Sequence, residues 1–336
     1  MSRVALLSLC LVATACSQAP SPAPSWKLVH HVTVGRTPGP VTLGGEWAFI
    51  ANMSDGTVSQ IDRDSGKVVA TITVADPQVL RAQGCAPDSV HAYYSGSWGW
   101  RACDTPYAIG WDGSSLWALD NGNRQLVRLD PSTRKAAERV QLPGIGWSMA
   151  FGDGRAWVSG WNDHSLYVVD VASRTLAATI TDLDGGPATL VDGAGAVWVV
   201  CVRGVNGVGR LDRVDPKTLK VTNRYDIEWF STAVTTLGDA VFVRGSYGGD
   251  ISRIDASTGA VTWSQPGPGF IGRQGIDQIA AAANGVWMSG PTTARIDLAT
   301  GAIAEKILVP SSSVAVGGGQ VWLMRLDGSA AEFKFH

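Results

Sequence analysis

Tryptophan and arginine are the residues of this chain whose chemistry first suggests binding. Its 336 residues include 14 tryptophans. An indole ring stacks on a sugar or another flat group, and an arginine guanidinium binds an anion through two parallel hydrogen bonds. The aromatic and arginine residues that fall outside the repeated positions described below are our candidate ligand-binding residues. They are Trp98, Trp100, Trp147, Trp161, Trp229, Arg203, Arg244, Arg273 and Tyr247.

Few other motifs could carry out chemistry. Residues 161–164 (Trp-Asn-Asp-His) offer either metal ligands or a tight polar turn. Glu228 and Asp277 precede predicted innermost strands, and a central metal between them is an alternative to two isolated carboxylates. The sequence has no Gly-x-Ser-x-Gly elbow, Walker loop or Cys/His zinc spacing. We therefore expect no metal, no cofactor and no catalytic residues.

The amino terminus is typical of a targeting segment. Arg3 precedes a short apolar run, and residues 13–15 (Ala-Thr-Ala) lead directly to Cys16. This run resembles the lipobox of bacterial lipoproteins, in which the cysteine after the cleavage site is acylated. We expect residues 1–15 to be a signal peptide, Cys16 to carry lipid, and residues 16–25, rich in Pro and Ser, to form an extended tether. Ordinary secretion without lipid is the alternative.

An exported protein can form disulfide bonds. Cys85 and Cys103 lie in an insertion at about residues 75–105, and we predict that they pair and close one loop. Cys201 lies in the apolar run 197–202, where a free cysteine packs as a small hydrophobic residue.

The composition excludes several classes of protein. Hydrophobic residues make up 45% of the chain and charged residues 17%, so the chain can bury enough apolar surface to fold. Its net charge is −2, which provides no basic surface for nucleic acid. The 40 glycines follow no Gly-X-Y period, and they indicate many tight turns between short strands.

A repeat of about 40 residues runs along the chain. Each copy has a Gly-rich turn followed by an aromatic residue, and six copies continue with Asp-x-x-Ser/Thr in a short hairpin loop. The aromatic residues assigned to the repeated position are Trp47, Trp117, Trp157, Trp198, Phe242, Trp287 and Trp322. The loop aspartates are Asp62, Asp130, Asp170, Asp215, Asp255 and Asp297.

Four short strands per repeat, in seven repeats, predict an all-β fold. We expect a seven-bladed β-propeller of four-stranded antiparallel blades at residues 26–336. The last repeat ends before a fourth strand can form. Residues 26–34 can supply that strand, which would close the ring and remove an open sheet edge.

Strand order decides which connections share a face of such a ring. The turns that join strands one and two, or three and four, lie on one face and are short. The connections that join strands two and three, or two successive blades, lie on the other face and vary in length. The candidate residues and the insertion map to this variable face, around a central funnel. The alternative is that the aromatic residues plug the funnel, as in a purely structural envelope protein.

The repeat carries a family resemblance. Its motifs are Gly-x-hydrophobic-Trp-hydrophobic, then Asp-x-x-Ser/Thr-Gly, then a proline before the next innermost strand. These prolines are Pro38, Pro106, Pro143 and Pro187. Over most of the mature chain this pattern resembles bacterial YVTN-type and virginiamycin-B-lyase-like propellers. For the lyase, the resemblance implies late-blade histidines and glutamates that hold a divalent metal. Here His336 is the only histidine after His164, so none of those residues carries over.

These observations favour an exported, lipid-anchored, monomeric binding module of the cell envelope rather than an enzyme. We expect a small molecule, a glycan or an envelope protein at the variable face, the membrane at Cys16, and no nucleic acid. A metal-dependent lyase or lactonase, favoured by the resemblance alone, is the alternative function. A periplasmic or secreted location without lipid is the alternative location.

Replacing the lipobox cysteine tests the anchor. Cys16→Ser removes the only thiol at the predicted acylation site, so the protein should move from the membrane fraction to the soluble exported fraction. Immunoblots of fractionated cells measure this, and Cys201→Ser is the matched control that should leave the protein on the membrane. Membrane association that survives Cys16→Ser contradicts the anchor.

Overall fold

Short apolar runs separated by Gly and Asp turns form strands throughout the chain. The computed structural model describes residues 26–76, 105–202, 208–228, 231–245, 249–269 and 278–335. These residues form strands β1 to β28 in seven four-stranded antiparallel sheets, so the predicted all-β, seven-bladed β-propeller is confirmed. None of the described segments is a helix of the length and hydropathy that crossing a membrane requires.

The first four blades each use four consecutive strands. Blade 1 contains β2 (Pro38–Gly44), β3 (Trp47–Asn52), β4 (Thr57–Asp62) and β5 (Val68–Thr73). Blade 2 contains β6 (Ile109–Trp111), β7 (Leu116–Asp120), β8 (Gln125–Asp130) and β9 (Lys135–Gln141). Blade 3 contains β10 (Ser148–Gly152), β11 (Arg155–Gly160), β12 (Ser165–Asp170) and β13 (Thr175–Ile180). Blade 4 contains β14 (Gly186–Gly193), β15 (Ala196–Val202), β16 (Gly209–Asp215) and β17 (Lys220–Ile227).

The last three blades include the one that joins the two ends of the chain. Blade 5 contains β18 (Ser231–Leu237), β19 (Ala240–Gly245), β20 (Ile251–Asp255) and β21 (Val261–Gln265). Blade 6 contains β22 (Ile279–Ala282), β23 (Gly285–Met288), β24 (Thr293–Ile296) and β25 (Ile303–Ile307). Blade 7 contains β26 (Ser311–Gly317), β27 (Gln320–Arg325), β28 (Ser329–Phe335) and, as its outer strand, β1 (Trp26–Thr33).

The N-terminal strand closes the ring as predicted. β1 pairs antiparallel with β28, from Trp26 opposite Phe335 to Thr33 opposite Ser329. Side chains add to this closure, because the Trp26 indole donates a 2.7 Å hydrogen bond to Glu305 of blade 6 and packs edge-on against Trp287, with ring centroids 4.9 Å apart. The strand that completes blade 7 therefore also holds blade 7 to blade 6.

The same bulge marks the outer strand of every blade. In each pairing of the third and fourth strands the register shifts by one residue, near the start of the fourth strand. The bulged residues are Val29, Val69, Ala137, Ala177, Thr222, Thr262 and Ala304. β1 keeps the bulge although no hairpin joins it to β28, so it is equivalent to the other outer strands.

The repeated aromatic position is buried in all seven blades, but one sequence assignment was wrong. In blade 3, Trp157 lies opposite Ala150 and Arg155 lies opposite Gly152, the last residue of β10. In blade 1 the residue equivalent to Trp157 is Phe49, whereas Trp47 lies opposite Gly44, the last residue of β2. Side chains two residues apart point to the same face of a strand, so the sequence pattern fits either aromatic residue. Phe49 is fully buried and Trp47 is half-buried.

Neighbouring blades interlock beside these aromatic residues. A Cβ atom on Gly44, the last residue of β2, would lie 2.3 Å from the Trp111 ring of blade 2, and Trp111 stacks on Phe49 with centroids 5.9 Å apart. At the seam between blades 3 and 4, Gly152 leaves room for Asp192 of blade 4, which accepts a 3.0 Å hydrogen bond from the Trp157 indole. The apolar clusters of the protein lie at these seams, each built from two adjacent sheets.

The loops that join the third and fourth strands have the predicted Asp-capped geometry. In blade 2 the Asp130 carboxylate accepts hydrogen bonds from the Ser132 backbone N–H at 2.8 Å, the Ser132 hydroxyl at 2.6 Å and the Thr133 N–H at 3.2 Å. The residue four positions after the aspartate has a positive φ in all six loops. These residues are Gly66, Arg134, Arg174, Leu219, Gly259 and Gly301.

Cys201 is buried in β15 and forms no disulfide bond, as predicted. Burial raises the pKa of its thiol well above the usual value, and the nearby Asp212 carboxyl, 3.8 Å from Sγ, adds to the effect. Cys201 is therefore a packing residue of the strand. Cys16, Cys85 and Cys103 lie outside the described residues, so the lipid site and the disulfide remain predictions.

Arg134 is the simplest place to measure the cost of the positive φ. Its φ is 61° and its side chain is exposed, so Arg134→Gly should raise the free energy of unfolding by about 1 kcal/mol relative to Arg134→Ala. Alanine keeps the Cβ atom that strains this conformation, and both variants lose the same side chain. Denaturant unfolding of the two variants gives the difference, and equal stabilities would show that the loop carries no strain.

The loop aspartates predict a pH dependence. Hydrogen bonds from the Ser132 hydroxyl and the Thr133 N–H lower the pKa of Asp130 to about 2, and bonds from Ser257 and Thr258 lower that of Asp255 to about 2. Because folding lowers the pKa of these carboxyls, their ionised forms stabilise the fold at neutral pH. That contribution to the free energy of unfolding is lost as the pH falls from about 4 to about 2.

Asparagine at both positions isolates this effect. Its side-chain oxygen accepts the same bonds but does not titrate, so Asp130→Asn with Asp255→Asn should flatten the fall in unfolding free energy over the acid range. Urea unfolding at several pH values measures the slope. An unchanged slope in the double variant would show that other groups dominate acid unfolding.

Candidate functional site

A central cavity, hereafter the channel, lies where the first strands of the blades meet. The first strand of every blade faces it, and the described side chains leave a channel volume of about 380 Å³. This volume lies within the range of small-molecule sites. The side chains lining the channel come from Pro40–Leu43, Tyr107, Ala108, Trp147–Met149, Ala188–Leu190, Ala233, Val234, Gln278–Ala280 and Val314–Val316.

The channel wall combines apolar side chains with neutral polar groups, and polar atoms make up the larger part of its exposed surface. Thr42, Ser148, Thr189 and Gln278 supply these groups, and none of the described lining residues is ionisable apart from the phenol of Tyr107. Gln278 is held in place because its backbone N–H donates to the Ser289 hydroxyl at 2.9 Å and its side-chain oxygen accepts from the Ser313 hydroxyl at 2.5 Å. Such a wall suits an uncharged ligand better than an ion.

Three aromatic side chains lie together on the variable face predicted from strand order, hereafter the loop face. The ring centroids of Tyr107 and Trp147 are 4.8 Å apart, and those of Trp147 and Trp161 are 5.7 Å apart. Trp147 is half-buried and lines the channel. The structure thus brings two predicted site residues, Trp147 and Trp161, into one aromatic cluster with Tyr107.

The cluster is positioned by blade 3 and its neighbours. Trp147 immediately precedes β10, and its backbone N–H donates a 2.8 Å hydrogen bond to the Ser159 carbonyl of β11. Trp161 follows β11 and lies over Gly186, where an added Cβ would come within 3.3 Å of the indole. Because both tryptophans flank rigid strands, the distance between them is set by the blade itself.

The polar run after Trp161 is a turn. The Asp163 carboxylate accepts a short hydrogen bond from the Tyr167 hydroxyl, and His164 has a φ of 54° that ends the turn. Burial of the phenol, together with this bond, raises the pKa of Tyr167. Asp163 is therefore engaged in holding the loop that carries Trp161.

Arg244 lies away from solvent. It is fully buried in β19, and its guanidinium donates to the carbonyl oxygens of Ser289 at 2.7 Å and Gly269 at 2.8 Å. The bond to Ser289, which follows the second strand of blade 6, joins blade 5 to blade 6. These contacts favour a structural role for Arg244 over the predicted role in binding a ligand.

Glu228 lies at the boundary of blades 4 and 5, in a separate cavity of about 160 Å³. Ser231, Val243 and Ser252 are among its other lining residues. Burial and the neighbouring Asp250 raise the pKa of Glu228. No group of three His, Cys, Asp or Glu side chains within the described ranges could hold a metal ion.

The remaining predicted site residues lie outside the described residues. They are Trp98, Trp100, Arg203, Trp229, Tyr247 and Arg273, together with Asp277. Sequence reasoning missed Tyr107 and Gln278. Tyr107 directly follows Pro106, one of the prolines that precede innermost strands, and this position is a signal that could have placed it at the channel mouth. No sequence signal identifies Gln278.

Comparison with known proteins supports the architecture. No protein-family model matches the chain, and no curated protein matches it in sequence. A chain of the hydrazine synthase of Kuenenia stuttgartiensis is similar in structure, with 13% identity over 91% of this chain and 97% of that one and a TM-score of 0.69. A chain from the crystal structure of a mitotic checkpoint complex has 11% identity over 98% of both chains and a TM-score of 0.70. At these identities the likeness shows the fold alone, and the chain is a seven-bladed β-propeller.

Proposed function

We propose that this protein is a lipid-anchored envelope binding module that takes an uncharged, hydroxylated ligand, such as a small glycan, at the channel mouth on the loop face. The observation that carries the proposal is the cluster of Tyr107, Trp147 and Trp161 beside a channel whose described lining includes no charged side chain. Indole rings stack on the apolar faces of sugars, and neutral groups such as Thr189 and Gln278 bond hydroxyls without charge.

The sequence-based predictions extend this site. We propose that the insertion at about residues 75–105, closed by a Cys85–Cys103 disulfide, extends the site, because it connects the end of β5 to the start of β6 at the loop face. It contains Trp98 and Trp100, which would enlarge the aromatic surface beside Tyr107. The resemblance to YVTN-type propellers agrees with an exported binding role.

Replacing Trp147 tests the site. An aromatic stacking contact contributes about 0.5–1.5 kcal/mol, so Trp147→Ala should weaken binding of the best ligand in a panel of mono- and disaccharides by up to about tenfold. Isothermal titration calorimetry measures the affinity. The matched control is Trp47→Ala, which removes a half-buried tryptophan at the opposite end of a blade and should leave the affinity unchanged.

The loss of unfolding free energy in Trp147→Ala distinguishes a binding site from aromatic residues that only fill the central funnel. A fully buried Trp→Ala change costs about 3–5 kcal/mol, whereas the half-buried Trp147 should cost less. A loss in that upper range, with no sugar bound by the wild-type protein, would support the plugged funnel of a structural protein. Equal loss of affinity in the Trp47 and Trp147 variants would also contradict the proposed site.

A further inference from the structure

One amide side chain of the channel wall keeps an unused hydrogen-bond donor. Gln278 directly precedes β22 of blade 6, is half-buried and lines the channel. Its backbone is fixed on both sides, because its N–H donates to the Ser289 hydroxyl at 2.9 Å and its carbonyl accepts from the Ser289 N–H at 3.0 Å. Its side-chain oxygen Oε1 accepts from the Ser313 hydroxyl. Within the described part of the chain, its side-chain nitrogen Nε2 has no hydrogen-bond acceptor.

The bonds around Ser313 decide which end of the Gln278 amide remains available. Ser313 is buried in blade 7, and its hydroxyl oxygen accepts a 3.0 Å hydrogen bond from the Val41 backbone N–H of blade 1. The hydroxyl proton then needs an acceptor of its own, and Gln278 Oε1 is the described group that supplies it. With the amide reversed, this buried proton would lose its acceptor. The relay from Val41 through Ser313 therefore leaves Nε2 of Gln278 as a donor at the channel wall.

Gln278 and the aromatic cluster lie at the same end of the channel. The Ser148 N–H of blade 3 donates to the Ser159 hydroxyl at 2.9 Å, as the Gln278 N–H does to that of Ser289. Gln278 and Ser148 therefore occupy equivalent positions at the start of their first strands. Trp147 directly precedes Ser148, so the Gln278 amide is one residue below the level of Trp147 on the loop-face side.

The order of the blades places Gln278 across the channel from the aromatic cluster. The blades follow one another round the ring in sequence order, and blade 7 contacts blade 1. Blade 6 is three blades from blade 2 in one direction and three blades from blade 3 in the other. Tyr107 belongs to the entry of blade 2 and Trp147 to that of blade 3. A ligand in the channel mouth thus has aromatic rings on one side and the Gln278 donor on the other.

Small apolar side chains flank the Gln278 donor. The neighbouring wall is formed by Ala233 and Val234 of blade 5 and by Val314 and Ala315 of blade 7. A donor set among methyl-bearing side chains matches a ligand group that has a carbonyl oxygen beside a methyl. An acetamido substituent has both features, whereas a sugar hydroxyl has no methyl to pack against this wall.

We propose that Gln278 selects sugars that carry an acetamido group, donating from Nε2 to the acetamido carbonyl oxygen while the sugar ring lies against Trp147. Ser313 is a positioning residue, because it acts by holding the amide in the donating orientation. The inference rests on the proposed sugar site, and it names the substrate class of that site and the side chain that recognises it.

Two disaccharides that differ in one substituent test the selection. Cellobiose and N,N′-diacetylchitobiose have the same linkage, and the second has an acetamido group where the first has a hydroxyl at C2 of each ring. One neutral hydrogen bond changes an affinity by about two- to tenfold. Isothermal titration calorimetry of the wild-type protein should therefore show tighter binding of diacetylchitobiose by about this factor.

Matched variants identify the residue responsible. Gln278→Met has a side chain of similar length without a donor, so it should lose the preference for diacetylchitobiose while its affinity for cellobiose stays the same. Ser313→Ala should reduce the preference as well, although Gln278 is intact, because the amide is then free to reverse. Gln265→Met, at the exposed end of β21 in the outer strand of blade 5, is the control and should keep the wild-type preference.

The ratio of the two affinities separates this inference from the proposed function. Equal affinities in the wild-type protein, or an unchanged ratio in Gln278→Met, would overturn the selection by Gln278 and leave sugar binding standing. Binding of another sugar of the panel, with neither disaccharide bound, would have the same meaning. If the wild-type protein binds no sugar at all, the proposed function fails and the selection fails with it.

Discussion

The structure depends on one constraint, which is that every blade has two apolar faces and neither can remain in water. Each sheet therefore needs a neighbour on both sides, and the only arrangement that provides this for all seven is a closed ring. The pairing of β1 with β28 completes the last sheet. Trp26, bonded to Glu305 and packed on Trp287, ties the completed blade to the one before it. Closure thus depends on residues at the two ends of the chain, more than 300 positions apart in sequence (Trp26 to Phe335).

A closed ring also determines where a ligand can bind. The first strands of all seven blades surround the centre of the ring. Their backbones cannot meet there, so a channel remains that the described side chains fill only in part. The buried Arg244 and the half-buried Gln278 each bond to a residue of the neighbouring blade and so hold adjacent blades together. The aromatic cluster sits on this rigid wall, in connections that need not conform to the repeat. The loop face can therefore vary, while the opposite face keeps its uniform, Asp-capped hairpin loops.

Much of the fold could be predicted from the sequence, because its hairpin loops and strands are local features that recur in every repeat. The Asp-x-x-Ser/Thr loops recur with the same hydrogen bonds, the strand count per repeat follows from turn spacing, and the missing fourth strand of the last repeat points to residues 26–34. The one misassigned repeat position, Trp47 in place of Phe49, arose where two aromatic residues share a face of the same strand. Only the ladder of hydrogen bonds distinguishes them.

The sequence by itself therefore determined the fold class, the closure of the ring and the face on which variable connections lie. Tertiary structure alone decided which of the candidate residues meet. It placed Trp147 and Trp161 in contact but buried Arg244 between blades, and it added Tyr107 and Gln278 to the channel. The physical reason is that blade assignment follows from periodic local patterning, whereas the direction of a side chain near the ring centre depends on packing between strands about 40 or more residues apart.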